Sequence, residues 1–194
     1  MNPKNAPRHY YSLDEYFALE HAGDARYEYW DGEIICMSGG SKEHLRVSDN
    51  VFFRLRLMLG KARCQAFSSL LPVKTPTLLP YRYPDATVCC GDPVFETIRG
   101  IDVLVNLTLI IEVLSPTSSM QDHNEKFTAY KAIESFMEYL LIAQDAPQVT
   151  HYVRQLDGRW ESEVITGMNA EIVLSSVGCK LSLAEIYEDV TFTQ

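Results

Sequence analysis

Leu109-Ile110-Ile111-Glu112-Val113-Leu114-Ser115-Pro116 is an apolar run broken by a single acid and closed by a Ser-Pro turn. A continuous run of branched aliphatic residues with such an ending reads as a strand buried on both faces at the centre of a sheet. Upstream, Tyr83-Pro84-Asp85-Ala86-Thr87-Val88 leads a second apolar strand, with another acid directly after a proline. An ionised carboxylate in such a strand costs several kcal/mol unless a cation or hydrogen-bonding partner satisfies it. Two of them about 4 Å apart repel by roughly 4 kcal/mol at an effective dielectric of about 20, so the pair favours a shared proton or a bound cation. The plain alternative is two exposed strand-end acids, the ordinary fate of Asp and Glu.

The elements on either side follow from local signals. Ser12-Leu13-Asp14-Glu15 is a capping box that opens a short helix to about residue 20, and Ser182-Leu183-Ala184-Glu185 opens another. Tyr27 to Trp30 and Glu33 to Met37 flank Asp31-Gly32, a two-residue hairpin turn, and Asp157-Gly158 makes a second hairpin between 149–156 and 160–166. Lys42 to Gly60 reads as a helix with His44, Val47, Val51, Leu55 and Met58 on one side and Arg46, Asn50 and Arg54 on the other. Strands are expected at 64–74, 86–90, 104–114 and 139–143. A helix over 122–138 presents Phe127, Tyr130, Ile133, Phe136 and Met137, and Lys126 lies one turn before Tyr130. This order predicts an α/β fold with a central mixed sheet flanked by helices, plus β-hairpins at both ends.

The chain has 194 residues, 46% hydrophobic and 22% charged, without a fixed-period repeat. That composition suits one domain, expected over 12–194 behind a flexible segment at 1–11, and excludes a disordered or solenoid chain. No run approaches the roughly 18 apolar residues of a membrane span, and the start lacks a signal-like apolar stretch, so a cytoplasmic protein without membrane contact is expected. Five cysteines, 36, 64, 89, 90 and 179, lack C-x-x-C spacing and read as reduced, buried thiols. Adjacent Cys89 and Cys90 face opposite sides of their strand. The formal charge of −9 argues against a general nucleic-acid binder, but residues 42–82 carry eight Lys and Arg against Glu43 and Asp49, a net +6 that leaves −15 elsewhere. Such a segment can hold a phosphate backbone, or it can be a solvated helix face.

An acid after proline on one core strand and a Glu on the next, in this order of elements, resembles the PD-(D/E)-x-K superfamily of restriction-endonuclease-like nucleases. The ordered set of Tyr27-Glu28-Tyr29-Trp30-Asp31-Gly32-Glu33-Ile34, His44, Pro84-Asp85, Glu112 to Thr117, Asp122, Lys126, Tyr130 and Glu138-Tyr139 is similar, more closely, to the Uma-two family of endonucleases. The resemblance implies a restriction-endonuclease-like core and hydrolysis of phosphodiester bonds in nucleic acid, chiefly DNA. It further implies a divalent Mg²⁺ or Mn²⁺ held by Asp85, Glu112 and the Val113 carbonyl, and by analogy a homodimer. Hard cations take such oxygens.

The chain departs from the superfamily where Leu114 replaces the lysine two residues after Glu112. Lys126 is the candidate for that charge, its plain alternative being an exposed partner of Asp122 worth about 0.3 kcal/mol. Glu28, a further metal or water contact, and His44 complete the candidate catalytic set, against an exposed hairpin acid and a structural histidine. Ser115, Ser118 and Ser119 belong to no serine-hydrolase elbow and read as turn and capping residues. The alternative to an enzyme is a catalytically silent nuclease fold that binds nucleic acid or protein, a reading favoured by Leu114 and the acidic total.

Overall fold

The computed structural model describes residues 9–23, 25–37, 39–60, 63–115 and 120–192, the side chains of 120–122 excepted. Ser12 caps α1 (Leu13–Ala22) with both bonds of the capping box in place. Asp31 and Gly32, with φ of 45° and 90°, turn β1 (Tyr27–Trp30) into β2 (Glu33–Cys36), because only this left-handed pair matches the twist of a two-residue hairpin. Of the segment expected to be flexible, residues 1–8 lie outside the described residues, and the Tyr11 amide donates to the Gly32 carbonyl at 2.7 Å.

Ser41 caps α2 (Lys42–Leu59), whose Val47, Val51, Leu55 and Leu59 are buried. Leu59 rather than Met58 closes this face, since it stands four residues after Leu55 and Met58 has turned outward to 39% exposure. Then come β3 (Cys64–Ser68), β4 (Ala86–Cys90), β5 (Phe95–Ile98), β6 (Ile101–Leu104), β7 (Leu109–Leu114), α3 (Met120–Tyr130), β8 (Glu138–Ala143), β9 (Gln148–Arg154), β10 (Trp160–Thr166), β11 (Glu171–Leu174), β12 (Cys179–Ser182) and α4 (Leu183–Ile186).

Six strands form one mixed sheet in the order β10-β9-β8-β7-β4-β3, and only β7 and β8 run parallel, joined through α3. As expected, β7 is central. The sheet separates two cores. Leu109, Ile111, Val113, Leu140 and Ile142 pack under α2 and α4, while Ile110, Tyr139 and Leu141 pack with Tyr130, Ile133 and Phe136. A third cluster, built on Tyr16, Phe17, Tyr81, Tyr83 and Val103, packs α1 and the first hairpin against the segment before β4 and the β5–β6 pair.

The structure corrects several boundaries. The strand expected over 64–74 stops at Ser68, where the chain turns, and only Val73 pairs again, with Arg82 and Leu104. The one expected over 104–114 starts at Leu109, because Leu104 belongs to the unforeseen β5–β6 hairpin, which turns through Arg99 and Gly100 at positive φ. Helix α3 ends at Tyr130, and Ile133 and Phe136 reach the core from tight turns instead of a continued helix. The β9–β10 hairpin extends the central sheet, while β11–β12 is a separate pair.

The reading of all five cysteines as thiols is overturned at two of them. The β3–β4 register places Cys64 opposite Cys90, and a disulfide joins them. Spacing of 26 residues gives no hint of a cross-strand partner, and the cysteine count therefore loses its force as an argument for a reducing compartment. Cys36, Cys89 and Cys179 are free thiols; Cys89 is buried as expected, Cys179 is half-buried, and Cys36, on the first hairpin, is exposed against expectation. Among the described residues no helix is long and apolar enough to cross a membrane.

Candidate active site

The β4–β7 register pairs Ala86 with Ile111, so one step further along it sets Asp85 opposite Glu112. Directly opposed residues of an antiparallel pair project from the same face. Asp85 Oδ2 accepts the Val113 amide at 2.7 Å, and its Oδ1 lies 2.9 Å from His44 Nε2, which α2 supplies from its first turn. Glu112, 5% exposed, accepts the Tyr130 hydroxyl at 3.0 Å. Lys126 lies four residues before Tyr130, hence on the same side of α3. Its Nζ stands 3.6 Å from Glu112 Oε1 and 3.2 Å from Glu28 Oε2.

Glu28, in β1, is 1% exposed and accepts the Tyr83 amide at 2.9 Å and the Trp30 indole at 3.2 Å. All five candidate side chains thus meet at the end of β4 and β7. Lys126 is buried against two acids, and Glu28 is no exposed hairpin acid. The Asp122 side chain and residues 116–119, Ser118 and Ser119 among them, lie outside the described residues.

Charge and burial act together here. Burial is the main cause that lifts the Glu112 carboxyl to about 7, with Asp85 and Glu28 adding to the rise while Lys126 and the Tyr130 hydroxyl oppose it. For Lys126 burial works in the opposite direction, pulling the ammonium down, but Glu112 and Glu28 beside it more than offset that and hold it above the ordinary lysine value. The hydrogen bond to Asp85 raises His44 against the pull of its own partial burial.

Asp85, Glu112, Val113 and Lys126 form the floor of a groove of about 700 Å³, walled by the start of α2 with Ser41, His44 and Ser48 and by the first hairpin with Arg26, Cys36 and Met37. Tyr83, His123 and Gln144 also line it. None of these three was singled out in the sequence, although His123 stands one turn before Lys126 and could have been. Gln144 accepts the Ser41 hydroxyl at 3.2 Å, tying the cap of α2 to the end of β8 across 103 residues, which no spacing reveals.

Three of the basic residues of 42–82 are engaged within the chain. Arg54 pairs with Glu185 and Glu188, Lys74 with Glu96, and Arg82 is buried with its guanidinium 4.1 Å from the centre of the Trp30 ring. Lys61 lies outside the described residues.

Asp85, Glu112 and the Val113 carbonyl are hard oxygen donors, which fits Mg²⁺ or Mn²⁺ and not a soft metal. Among the described residues no group of three or more His, Cys, Asp or Glu is arranged to hold a metal ion, so a cation here would rest on two carboxylates and backbone oxygen. Glu28, already bound by Tyr83, Trp30 and Lys126, is better placed to anchor Lys126 than to ligate.

Over residues 13–184 the chain matches the model of the Uma2 family, described as "Putative restriction endonuclease". It is 35% identical over 161 residues to an uncharacterized protein of Synechocystis sp. (strain ATCC 27184 / PCC 6803 / Kazusa), covering 83% of this chain and 90% of that one. A second uncharacterized protein of the same organism is 28% identical over 190 residues, 97% of each chain. The fold is similar to the crystal structure of a "putative nuclease belonging to DUF820" from Anabaena variabilis ATCC 29413, with a TM-score of 0.70 and 20% identity over 91% of this chain and 97% of that one. At that identity the likeness speaks for the fold.

Proposed function

Because the chain belongs to the Uma2 family, we propose that it is a divalent-cation-dependent endonuclease that hydrolyses phosphodiester bonds in DNA. The observation that carries this reading is the placement of Lys126: a buried ammonium touching Glu112 and Glu28 at the floor of an open groove, where the superfamily's usual lysine position holds Leu114. The family description is what favours DNA as substrate.

Asp85, Glu112 and the Val113 carbonyl would hold the cation. That carbonyl leaves the strand on the same side as the amide that binds Asp85, since N–H and C=O of one strand residue point the same way. When bound, the cation supplies Lewis-acid polarisation of the phosphoryl oxygens and makes water more acidic. His44 and the Val113 amide hold the Asp85 carboxylate in orientation, and Tyr130 does the same for Glu112.

Lys126, protonated between its two acids, acts as a fixed positive charge beside the phosphoryl group, not as the base; Glu28 keeps it there. Water contributes hydroxyl to phosphorus and a proton to the leaving oxygen as the P–O bond breaks. Negative charge grows on the phosphoryl oxygens in that step, and a preorganised ammonium in a water-poor site stabilises it.

Incubating supercoiled plasmid with Mg²⁺, Mn²⁺ or EDTA tests the proposal. Nicking is expected with the cations, none with EDTA and none in Glu112→Gln; cleavage that survives EDTA would sink the metal mechanism. Absence of cleavage, with nucleic-acid or protein binding retained, would favour the silent-module reading.

A further inference from the structure

We propose that Arg26, assisted by Ser48, holds a phosphate next to the one being cut, so that the groove takes an oligonucleotide chain in preference to a lone phosphodiester. The inference rests on the nuclease reading of the same groove. Arg26 stands just ahead of β1, and its carbonyl accepts the Met37 amide at 2.8 Å, which extends the hairpin ladder by a rung and fixes the residue at the groove wall. By strand alternation it projects on the same side as Glu28, the anchor of Lys126. Ser48 stands on the opposite wall, one turn after His44.

Both side chains present unmet donors. Arg26 Nη1 and Ser48 Oγ are shielded from solvent and have no hydrogen-bond partner among the described residues. A guanidinium donates only, and what it lacks is an acceptor oxygen. The nearby carboxylates are already engaged: Asp85 by His44 and the Val113 amide, Glu112 by Tyr130 and Lys126, and Glu28, behind the groove lining, by Tyr83, Trp30 and Lys126.

A backbone phosphate offers acceptor oxygens and the charge that a guanidinium binds best, in a fork geometry. The positive end of the 18-residue α2, capped by Ser41, borders the same space and favours an anion there. Asp49 on the α2 wall opposes it, but that residue is exposed and its field is screened. Arg54, Lys74 and Arg82 are spent on internal partners, and none of them lines the groove.

The test uses full-length Glu112→Gln protein, which should not cut, with a fluorescein-labelled 12-nucleotide strand and Mg²⁺, read by anisotropy at several salt concentrations. Adding Arg26→Ala should weaken binding about tenfold and flatten the slope of log affinity against log salt by about 0.7, as expected for one phosphate contact on a single strand. Arg26→Lys, which keeps the charge, should restore most of the slope. The loss should be at least several-fold larger for the 12-mer than for bis(p-nitrophenyl) phosphate, which carries a single phosphate.

Affinity within twofold of the Glu112→Gln parent with an unchanged slope would overturn the assignment, as would an equal loss for the single-phosphate diester. If no oligonucleotide binds the parent, the assignment falls as well. Plasmid cutting by wild type with no Arg26 effect removes only this inference. An Arg26 effect on binding in a protein that never cuts removes only the nuclease reading.

Discussion

Two buried charged clusters sit on opposite faces of the same sheet, and they are built differently. On one face Lys126 lies at ion-pair distance from both Glu28 and Glu112, Tyr130 donates to Glu112, and Lys126 and Glu112 line the groove. On the other, Glu138 and His151 are 1% and 3% exposed, yet His151 Nε2 lies 3.8 Å from Glu138 Oε2 and neither atom has a hydrogen-bond partner among the described residues. The second pair is held by the Ser176 amide on Glu138 Oε1 at 3.1 Å and by exposed Glu163, 3.6 Å from His151 Nδ1. Burying a charge is therefore not what marks a site. Both clusters draw acids from two strands, but the first adds a cation delivered by a helix and an opening into the groove, which the second lacks among the described residues.

The sharpest way to break that contrast is Lys126→Met. It should cut the cleavage rate by about a hundredfold or more, the usual loss for a positioned charge-stabilising group. Mn²⁺ affinity, read by calorimetry, should change far less. A rate within threefold of wild type would make Lys126 a structural residue, as His151 is on the other face. The other lysines near the site offer no replacement, since Lys74 pairs with Glu96 and Lys131 lies 4.8 Å from the centre of the Phe127 ring.

The next effect is one of pH. The Glu112 carboxyl is raised in the folded protein, to about 7 from an ordinary 4.5, so its contribution to stability is present below about 4.5 and is lost as pH rises through 7. In EDTA, wild type should thus lose stability relative to Glu112→Gln between pH 5 and 8, by at most about 3 kcal/mol. Paired thermal melts across that range measure it. A constant difference would mean that Glu112 ionises like a surface acid.

The smallest effect belongs to the other face. Glu138→Gln keeps an oxygen for the Ser176 amide and removes only the charge near His151, so stability should change by about 1 kcal/mol. Cleavage at 25 °C should stay within twofold of wild type. A tenfold loss of rate would show that the two faces are coupled through β8.

Local physics made much of the chain legible. The capping boxes at Ser12 and Ser182, the Asp-Gly turns, the heptad-like face of α2 and the central β7 each depend on residues within about one or two turns of each other, so their patterns survive without tertiary context. Asp85 and Glu112 were visible for a related reason, as acids in apolar strands stand out against their neighbours.

What tertiary structure alone decided depends on pairings between distant segments. Glu28 meets Lys126 across 98 residues, Gln144 meets Ser41 across 103, and Cys64 finds Cys90 through strand register. The β5–β6 hairpin hid because its turn, Arg99-Gly100, puts a non-glycine at positive φ, which no turn rule favours. Arg26 and Ser48 become groove walls only when the first hairpin and α2 are brought to opposite sides of one groove. Each of these contacts requires the sheet's order and register, a property of how the strands pack together and not of any stretch of the chain taken by itself.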